Sequence, residues 1–146
     1  MVTRTEHRDR SGCPVACALD IFGDHWSLLV IRNLMFTDLH EYKDMLKSEE
    51  KISTNILTAR LKLLEGEGLI SSTPHKESQR RKLYYLTQKG KDLVHIMTSI
   101  VFWSQKHLYE FLDIPNEKEE FLKLGPEVFV QKTLEKLEQW EKENIT

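Results

Sequence analysis

The side chains best suited to recognising a partner lie on a predicted helix that begins at Ser53. Its apolar residues recur at helical spacing and form one face, which consists of Ile56 or Leu57, then Leu61 and Leu64. The other positions carry short polar or small side chains, most of them near the start of the helix: Ser53, Thr54, Asn55, Thr58, Ala59 and Lys62. A helix of this kind can enter the major groove of double-stranded DNA with its N-terminal end first, because no bulky side chain holds it out.

Each of these residue types has a chemical use in that groove. Asn55 can pair with adenine through two hydrogen bonds, serine and threonine can pair with several bases, and the methyl groups of Thr58 and Ala59 can contact a thymine methyl. Ser53 is a natural N-cap, and the free amides at the start of the helix can hold a phosphate. The same pattern also fits a capped surface helix without a ligand, so this helix alone does not show whether the protein binds DNA.

A basic segment follows shortly after this helix. Four cations occur within seven positions: Lys76, Arg80, Arg81 and Lys82. The flanking residues predict β-strands over 69–73 and 80–87, joined by a polar turn over 74–79. The tip of a basic hairpin can enter the minor groove or bind phosphates, although a solvated charge run has the same composition. A polar-faced helix followed directly by a basic hairpin is much rarer by chance than either feature, and the combination indicates DNA binding.

Further helices are predicted on both sides of these two segments, and they would hold the polar helix and the hairpin in position. Pro14 favours the first turn of a short apolar helix, and Gly23 ends it. Asp24 can cap a second helix over 24–35, which is apolar on nearly all sides and is expected to be buried. Further helices are predicted over 40–46, over 87–112, around 121–124 and after Pro126. The expected fold is mainly α with a small β-hairpin wing: a winged helix-turn-helix with additional C-terminal helices.

The chain is long enough for one domain, which we expect to have two parts. Residues 1–112 hold the winged helix-turn-helix and the dimerisation helices, and residues 113–146 form a C-terminal helical extension. The formal net charge is −2, but residues 1–112 carry two more basic than acidic residues, and residues 113–146 carry four more acidic than basic ones. The overall charge is therefore a poor guide to the surface that would meet a phosphate backbone.

Other classes of protein are disfavoured. The longest dense apolar stretch, residues 26–36, is shorter than the ~20 residues that cross a bilayer, and no signal peptide is visible, which predicts a cytoplasmic protein with no membrane partner. Two cysteines are too few for a disulfide framework. The six histidines show no metal-binding spacing, and neither a glycine-rich phosphate loop nor a nucleophile motif is present. We therefore expect no enzymatic activity, no cofactor and no metal.

Three segments resemble HxlR-type regulators of the MarR-like superfamily of bacterial transcription factors: CPVxxALDIFGDHWSLLVIRNL over residues 13–34, ISTNILTxRLKxLExxGLI over 52–70 and LTxKG over 86–90, where x marks a position that is not part of the resemblance. The resemblance implies a MarR-like winged-helix fold and a homodimer formed by the first helix and the long helix over 87–112. It also implies binding to an inverted-repeat operator, with repression or activation of transcription as the output. The strand from Arg80 to Thr87 is similar to PadR and MarR proteins as well. His25 replaces the Lys or Arg that is common in the family, and the extension over 113–146 is longer than usual.

A dimer is also expected from the long helix itself. Its apolar stripe, which includes Leu93, Ile100 and Phe111, is longer than a small three-helix core can cover and needs another surface. DNA-binding proteins with two-fold symmetry bind half-sites that lie about one turn of the DNA helix apart. The alternative is that the extension, from Phe121 to Trp140, folds back over the stripe within one subunit, and both arrangements can occur together.

The resemblance also assigns a redox role to Cys13. This residue precedes Pro14 at the start of the first helix, where the reactive thiolate is favoured. Some members of the resembling family sense oxidants or electrophiles with a cysteine at this position. The alternative is an inert residue packed near the dimer interface. A disulfide between Cys13 and Cys17 within one helix is geometrically poor, so an intersubunit bond through Cys13 is the expected oxidised form.

The sequence therefore predicts a homodimeric, sequence-specific DNA-binding transcriptional regulator that responds to an oxidant, an electrophile or a small molecule. A small-molecule effector would bind near Trp26, Trp103 and Tyr109. The alternative from another class is a winged-helix protein-interaction module without specific DNA binding, whose partner surface is the acidic extension.

Overall fold

A computed structural model describes residues 11–145, most of which are helical. The elements in chain order are α1 (Pro14–Phe22), α2 (Ser27–Met35), α3 (Tyr42–Met45), α4 (Thr54–Gly66), β1 (Ile70–His75), β2 (Ser78–Leu86), α5 (Gln88–Lys91), α6 (Val94–His107), a 3-10 turn (Tyr109–Phe111), α7 (Asn116–Leu122) and α8 (Pro126–Asn144). The chain divides between Gly90 and Lys91 into two compact units. The first unit contains helices α1 to α4, the hairpin and α5 except for Lys91, which is the predicted winged helix-turn-helix arrangement.

The core of the first unit is built around α2. Ile31 and Leu34 of this helix are completely buried, together with Met45 of α3 and Leu57 and Leu64 of α4. Burial on nearly all sides is what the continuous apolar composition of α2 predicts. Of the helices around it, α4 buries its apolar residues and turns its polar face outward.

Asp24 connects the start of α2 to α4. Its carboxylate accepts hydrogen bonds from the backbone N–H groups of Trp26 at 2.9 Å and Ser27 at 3.0 Å, which confirms the predicted cap. Burial raises the pKa of Asp24, but the hydrogen bonds from Ser27 and Trp26 and the Arg60 guanidinium 3.6 Å away outweigh it, and the net pKa lies below its ordinary value. The carboxylate is therefore charged at neutral pH and can pair with Arg60 of α4.

Helix α4 begins as the sequence predicts. The Ser53 hydroxyl oxygen accepts a hydrogen bond from the backbone N–H of Ile56 at 3.2 Å. Leu57, Leu61 and Leu64 are buried against the rest of the first unit. The cap and the apolar stripe together hold the opposite, polar face of α4 outward.

The hairpin is longer than predicted. Strands β1 and β2 are antiparallel, and β1 continues to His75 while β2 begins at Ser78, so that Lys76 and Glu77 alone connect them. The predicted turn over 74–79 is therefore wrong in length. Pro74 suggested a turn, but it pairs with Lys82 in the ladder, and a proline without an N–H is tolerated at a sheet edge.

Strand β2 is tied to the segment before α3 by two hydrogen bonds. The backbone N–H of Tyr84 donates to the carbonyl oxygen of His40 at 2.8 Å, and Nδ1 of His40 donates to the carbonyl oxygen of Tyr84 at 2.8 Å. Nδ1 is the donor because a carbonyl can only accept. These bonds extend the backbone before α3, and α3 therefore begins at Tyr42 rather than at residue 40 as predicted.

The single helix predicted over residues 87–112 is wrong. The chain forms α5, turns at residues 92–93, forms α6, and then tightens into the 3-10 turn. Gly90 of α5 passes so close to Leu69 that an added Cβ would clash with the Leu69 carbonyl oxygen. This contact joins residues that are distant in sequence, and the spacing of apolar residues along the chain does not reveal it.

The second unit is held together by packing of α8 along α6. The Phe129 ring of α8 lies 5.9 Å from the Phe102 ring of α6, edge to face, and 5.4 Å from the Phe121 ring of α7. Lys91 Nζ lies 2.8 Å from the Glu141 carboxylate. Helix α6 packs with the extension, and the two compact units meet in the sequence at residues 90 and 91. The expected parts of one domain, residues 1–112 and 113–146, stay a prediction.

No single helix within residues 11–145 is both long and apolar enough to span a membrane. The pair Pro14–Phe22 and Ser27–Met35 meets the length and composition criteria only when both helices are counted together across a bend of 77°.

Candidate nucleic-acid interface

The polar face of α4, which we call the reading face, is exposed. It consists of the predicted DNA-contacting residues and one alanine: Ser53, Thr54, Asn55, Thr58, Ala59 and Lys62. The Ser53 hydroxyl is engaged in the cap. The Asn55 amide makes no hydrogen bond to another residue in the described part of the chain and retains both its donor and its acceptor for a partner.

Tyr42 is a residue of this surface that the sequence analysis missed. Its hydroxyl lies 3.1 Å from the Thr54 carbonyl oxygen and 3.0 Å from the Thr58 hydroxyl oxygen. In the sequence, Tyr42, Met45 and Leu46 fit the apolar face of an amphipathic helix, and this pattern indicates only a role in the fold. The apolar face of α3 needs only an apolar ring at this position, so the extra hydroxyl of Tyr42 is the feature of the sequence that could have identified its role.

Three of the four predicted wing cations are exposed. Lys76 lies in the two-residue connection at the tip, and Arg80 and Lys82 lie on β2. Residues two apart in a strand point to the same face, so Arg80 and Lys82 share one side of the hairpin. The wing therefore presents positive charge at its tip and along one strand.

Arg81 differs from its neighbours because it is bound to a carboxylate within the first unit. Its Nε and Nη2 donate to the two Glu41 oxygens at 2.7 and 2.9 Å, and Nη2 lies 3.3 Å from Nε2 of His75. The hydrogen bond from Arg81 is the main reason that the pKa of Glu41 lies below its ordinary value. Arg81 therefore anchors β2 to the residue before α3, a role that the sequence analysis did not foresee.

A cleft between the start of α3 and β2 gathers further charge. It is lined by Glu41, Tyr42, Lys43, Arg80, Arg81, Lys82 and Tyr84. Lys43 is exposed and was not singled out from the sequence, because it lies far along the chain from the basic hairpin. The pairing of Glu41 with Arg81 leaves Lys43, Arg80 and Lys82 as the excess positive charge of this cleft.

The turn between α3 and α4 is fastened to α2 by Arg32. Its Nη1 and Nη2 donate to the two Glu50 oxygens at 2.8 and 2.9 Å, and Nη2 also donates to the Asn33 side-chain oxygen at 2.8 Å. The hydrogen bond from Arg32 is the largest cause that lowers the pKa of Glu50. This bidentate pair fixes the segment that leads into the reading face.

The lowered pKa values predict a loss of stability in acid. The carboxylates of Asp24, Glu41 and Glu50 have folded-state pKa values below their ordinary ones, so their stabilisation is present above about pH 5 and is lost as the pH falls through the folded values. We expect the melting temperature to fall between about pH 5 and pH 3. Glu50→Gln is expected to lower it at pH 7, by an amount that corresponds to about 1 kcal/mol or less, and to make the acid branch shallower. An unchanged acid branch in that variant would contradict the assignment.

The thiols are both free in this structure. Cys13 is exposed at the N-cap of α1 with Pro14 behind it, and Cys17 is half-buried one turn later. The exposure of Cys13 makes it accessible to an oxidant. Within residues 11–145, no group of three or more His, Cys, Asp or Glu side chains is arranged to hold a metal ion.

Each unit also carries exposed apolar side chains. In the second unit, Ile96, Ile100 and Trp103 of α6 are 40%, 43% and 56% exposed and follow one another at helical spacing. We call these three residues the α6 stripe. The extension does not cover them, because α8 packs on the Phe102 side of α6. In the first unit, Val15 and Leu19 of α1 are also exposed.

Comparisons with known proteins agree with this architecture. Residues 21–111 match the family described as HxlR-like helix-turn-helix. The HTH-type transcriptional regulator YdeP of Bacillus subtilis is 29% identical over 99 residues, which cover 68% of this chain and 77% of YdeP. The crystal structure of PA1607 is similar with a TM-score of 0.61 and 33% identity, covering 75% of this chain and 72% of that one. The reduced form of the transcriptional regulator YodB from B. subtilis gives a TM-score of 0.53 and 26% identity, covering 65% and 93%.

The family match spans both the helices that position the reading face and the wing, and it covers more than half of the chain. It confirms the resemblance noted in the sequence and the expectation that the protein is a regulator rather than an enzyme. The chain belongs to the HxlR-like helix-turn-helix family of transcriptional regulators, with a winged helix-turn-helix fold similar to that of a MarR-family regulator from Porphyromonas gingivalis.

Proposed function

We propose that the protein is a homodimeric, sequence-specific DNA-binding regulator that acts on an inverted-repeat operator in the bacterial cytoplasm. In each subunit α4 enters the major groove with its N-terminal end first. The wing, residues 70–86, contacts the neighbouring minor groove or its phosphates. Occupation of the operator represses or activates transcription.

One observation carries this proposal: an exposed face of short polar side chains on α4 stands beside a hairpin with exposed cations. Base edges are read by side chains such as Asn55 that have uncommitted donors and acceptors, and phosphates are held by cations such as Arg80 and Lys82. The net charge of −2 does not oppose this function, because the acidic surplus lies in residues 113–146.

Arg80 and Lys82 of the wing are exposed, whereas Arg81 is paired with Glu41, and this difference can be tested by mutation. Replacing Arg80 and Lys82 together by alanine is expected to weaken binding to all DNA sequences. It is also expected to reduce the slope of log affinity against log salt by about 0.9 for each phosphate that the variant no longer neutralises. Arg81→Ala is expected to weaken binding to both operator and random DNA with a smaller change of slope, because Glu41 already neutralises its charge.

Salt-titration of DNA binding measures both variants, and Lys132→Ala serves as the control because it removes an exposed cation from α8. A slope that changes most for Arg81→Ala would contradict the anchoring role and restore Arg81 as a direct phosphate contact.

The proposed dimer rests on exposed apolar surface. The α6 stripe and the exposed side chains of α1 leave apolar area in water that a second copy of the chain would bury. Two copies related by a two-fold axis present two reading faces, as an inverted repeat requires.

The proposed signal is an oxidant or electrophile at Cys13, with a small-molecule effector as the alternative. The exposure of Cys13 at the start of α1 supports the first. Treatment with diamide is expected to link two subunits through Cys13 and change their DNA affinity, and Cys13→Ser is expected to abolish both effects while Cys17→Ser retains them. A response that survives in Cys13→Ser would contradict the thiol mechanism and favour the small molecule.

Selection from a randomised DNA duplex library tests the function as a whole. The wild-type protein is expected to enrich a two-fold symmetric site whose half-sites lie about one helical turn apart. Enrichment of no sequence by a folded dimer would contradict the proposal and favour the protein-interaction module, for which the acidic surface of residues 113–146 is the candidate partner site.

A further inference from the structure

The reading face is contacted from outside α4 by Tyr42 of α3. The Tyr42 hydroxyl lies 3.1 Å from the backbone carbonyl oxygen of Thr54 and 3.0 Å from the hydroxyl oxygen of Thr58. Thr58 is exposed on the reading face, so this contact reaches a side chain that is placed to meet a base.

The donors of the two contacts follow from the chemistry of the groups. A carbonyl oxygen only accepts, so the single proton of the Tyr42 hydroxyl belongs to the bond with Thr54. The contact with Thr58 then requires the threonine proton, and the Thr58 hydroxyl donates to the Tyr42 oxygen.

Tyr42 is itself held in place. Its side chain and Thr58 line one cleft together with Leu61, Lys62, Glu65 and Tyr84. The backbone of Tyr84 is bound to His40 through both its N–H and its carbonyl. The backbone just before Tyr42 is therefore bound to β2, which limits the positions that the Tyr42 hydroxyl can take.

We infer that Tyr42 is a positioning residue that determines which base Thr58 selects, an inference that rests on the proposed function. With its proton held by Tyr42, the Thr58 hydroxyl oxygen can only accept a hydrogen bond. The groups that donate in the major groove are the amino groups of adenine and cytosine. Thr58 therefore favours adenine or cytosine on the contacted strand and disfavours guanine and thymine, which present only acceptors there.

Library selection with four proteins tests this inference: the wild type, Tyr42→Phe, Thr58→Val and the double variant. The wild type is expected to prefer adenine or cytosine at one position in each half-site by about three- to tenfold, the size of one hydrogen bond. Tyr42→Phe keeps the ring and is expected to lose this preference while the other positions keep theirs. Thr58→Val is expected to lose it as well, and Tyr42→Phe is expected to add nothing in the Thr58→Val background.

Three results would overturn the inference: an unchanged preference in Tyr42→Phe, an equal loss at every position, or a further change of preference in the double variant. The equal loss would assign Tyr42 a purely structural role, and melting curves of the same proteins would then show a matching loss of stability. If the wild type prefers adenine or cytosine at that position and Tyr42→Phe keeps the preference, this inference is contradicted while the proposed function stands. A wild type that selects no sequence defeats the proposed function and this inference with it.

Discussion

Replacing Asn55 by alanine is expected to remove most of the preference for the operator over random DNA. Asn55 is exposed near the start of α4, and its amide can form a bidentate pair with adenine. Such a pair is worth about 1–3 kcal/mol, which corresponds to about 5- to 150-fold in affinity for each half-site. Non-specific binding is expected to remain nearly unchanged, because it depends on cations and phosphates.

Anisotropy titrations of operator and scrambled duplexes measure this difference directly. Asn116→Ala is the matched control, because it makes the same chemical change at an exposed asparagine of the second unit. An equal loss on both duplexes for Asn55→Ala would show that Asn55 supports α4 or contacts the backbone, and its role in reading bases would have to be abandoned.

Ile100→Glu is expected to separate the dimer into monomers and to lower operator affinity by about 100-fold or more, because the two half-sites would no longer be bound together. Ile100 is the central residue of the α6 stripe and is 43% exposed in the single chain. A carboxylate buried there on dimerisation would lack a partner, and the cost of burying an unpaired charge exceeds the gain from the surrounding apolar contacts.

Light scattering coupled to size-exclusion chromatography measures the mass of the variant. Leu124→Glu is the control, since it places the same charge on another exposed apolar residue of the second unit. A dimer that persists in Ile100→Glu would contradict the assignment of the α6 stripe to the interface. A monomeric wild type would contradict the dimer altogether.

Local features of the fold could be predicted from the sequence because they depend on neighbouring residues. The Ser53 cap and the spacing of Leu57, Leu61 and Leu64 define α4 without reference to the rest of the chain. Asp24 caps α2 for the same reason. Because these signals set which face of α4 is buried, the exposed residues of the reading face could also be predicted.

Features that depend on distant residues could not be predicted. Gly90 fits against the Leu69 carbonyl, and this contact leaves no periodic pattern that would have revealed the break in the helix predicted over 87–112. Pro74 was interpreted as a turn residue, since its pairing with Lys82 exists only in the assembled hairpin.

The chemistry of the candidate site was limited in the same way. Arg81 belongs to a basic run and was assigned to DNA together with its neighbours, but Glu41, forty residues earlier, binds it. Tyr42 fits the apolar face of α3, and its hydroxyl acquires a role only through the position of Thr58. A sequence shows which side chains can carry charge or donate protons, whereas the fold decides which of them remain available to a ligand.

The most direct test of the central claim is a fluorescence-anisotropy titration of the protein against DNA from upstream of its own gene and against a scrambled duplex, across a salt series. We predict tight binding that weakens steeply with salt and favours the upstream DNA at every salt concentration. A folded dimer that binds neither duplex at low salt, or binds both equally, would contradict the account of the protein as a sequence-specific regulator.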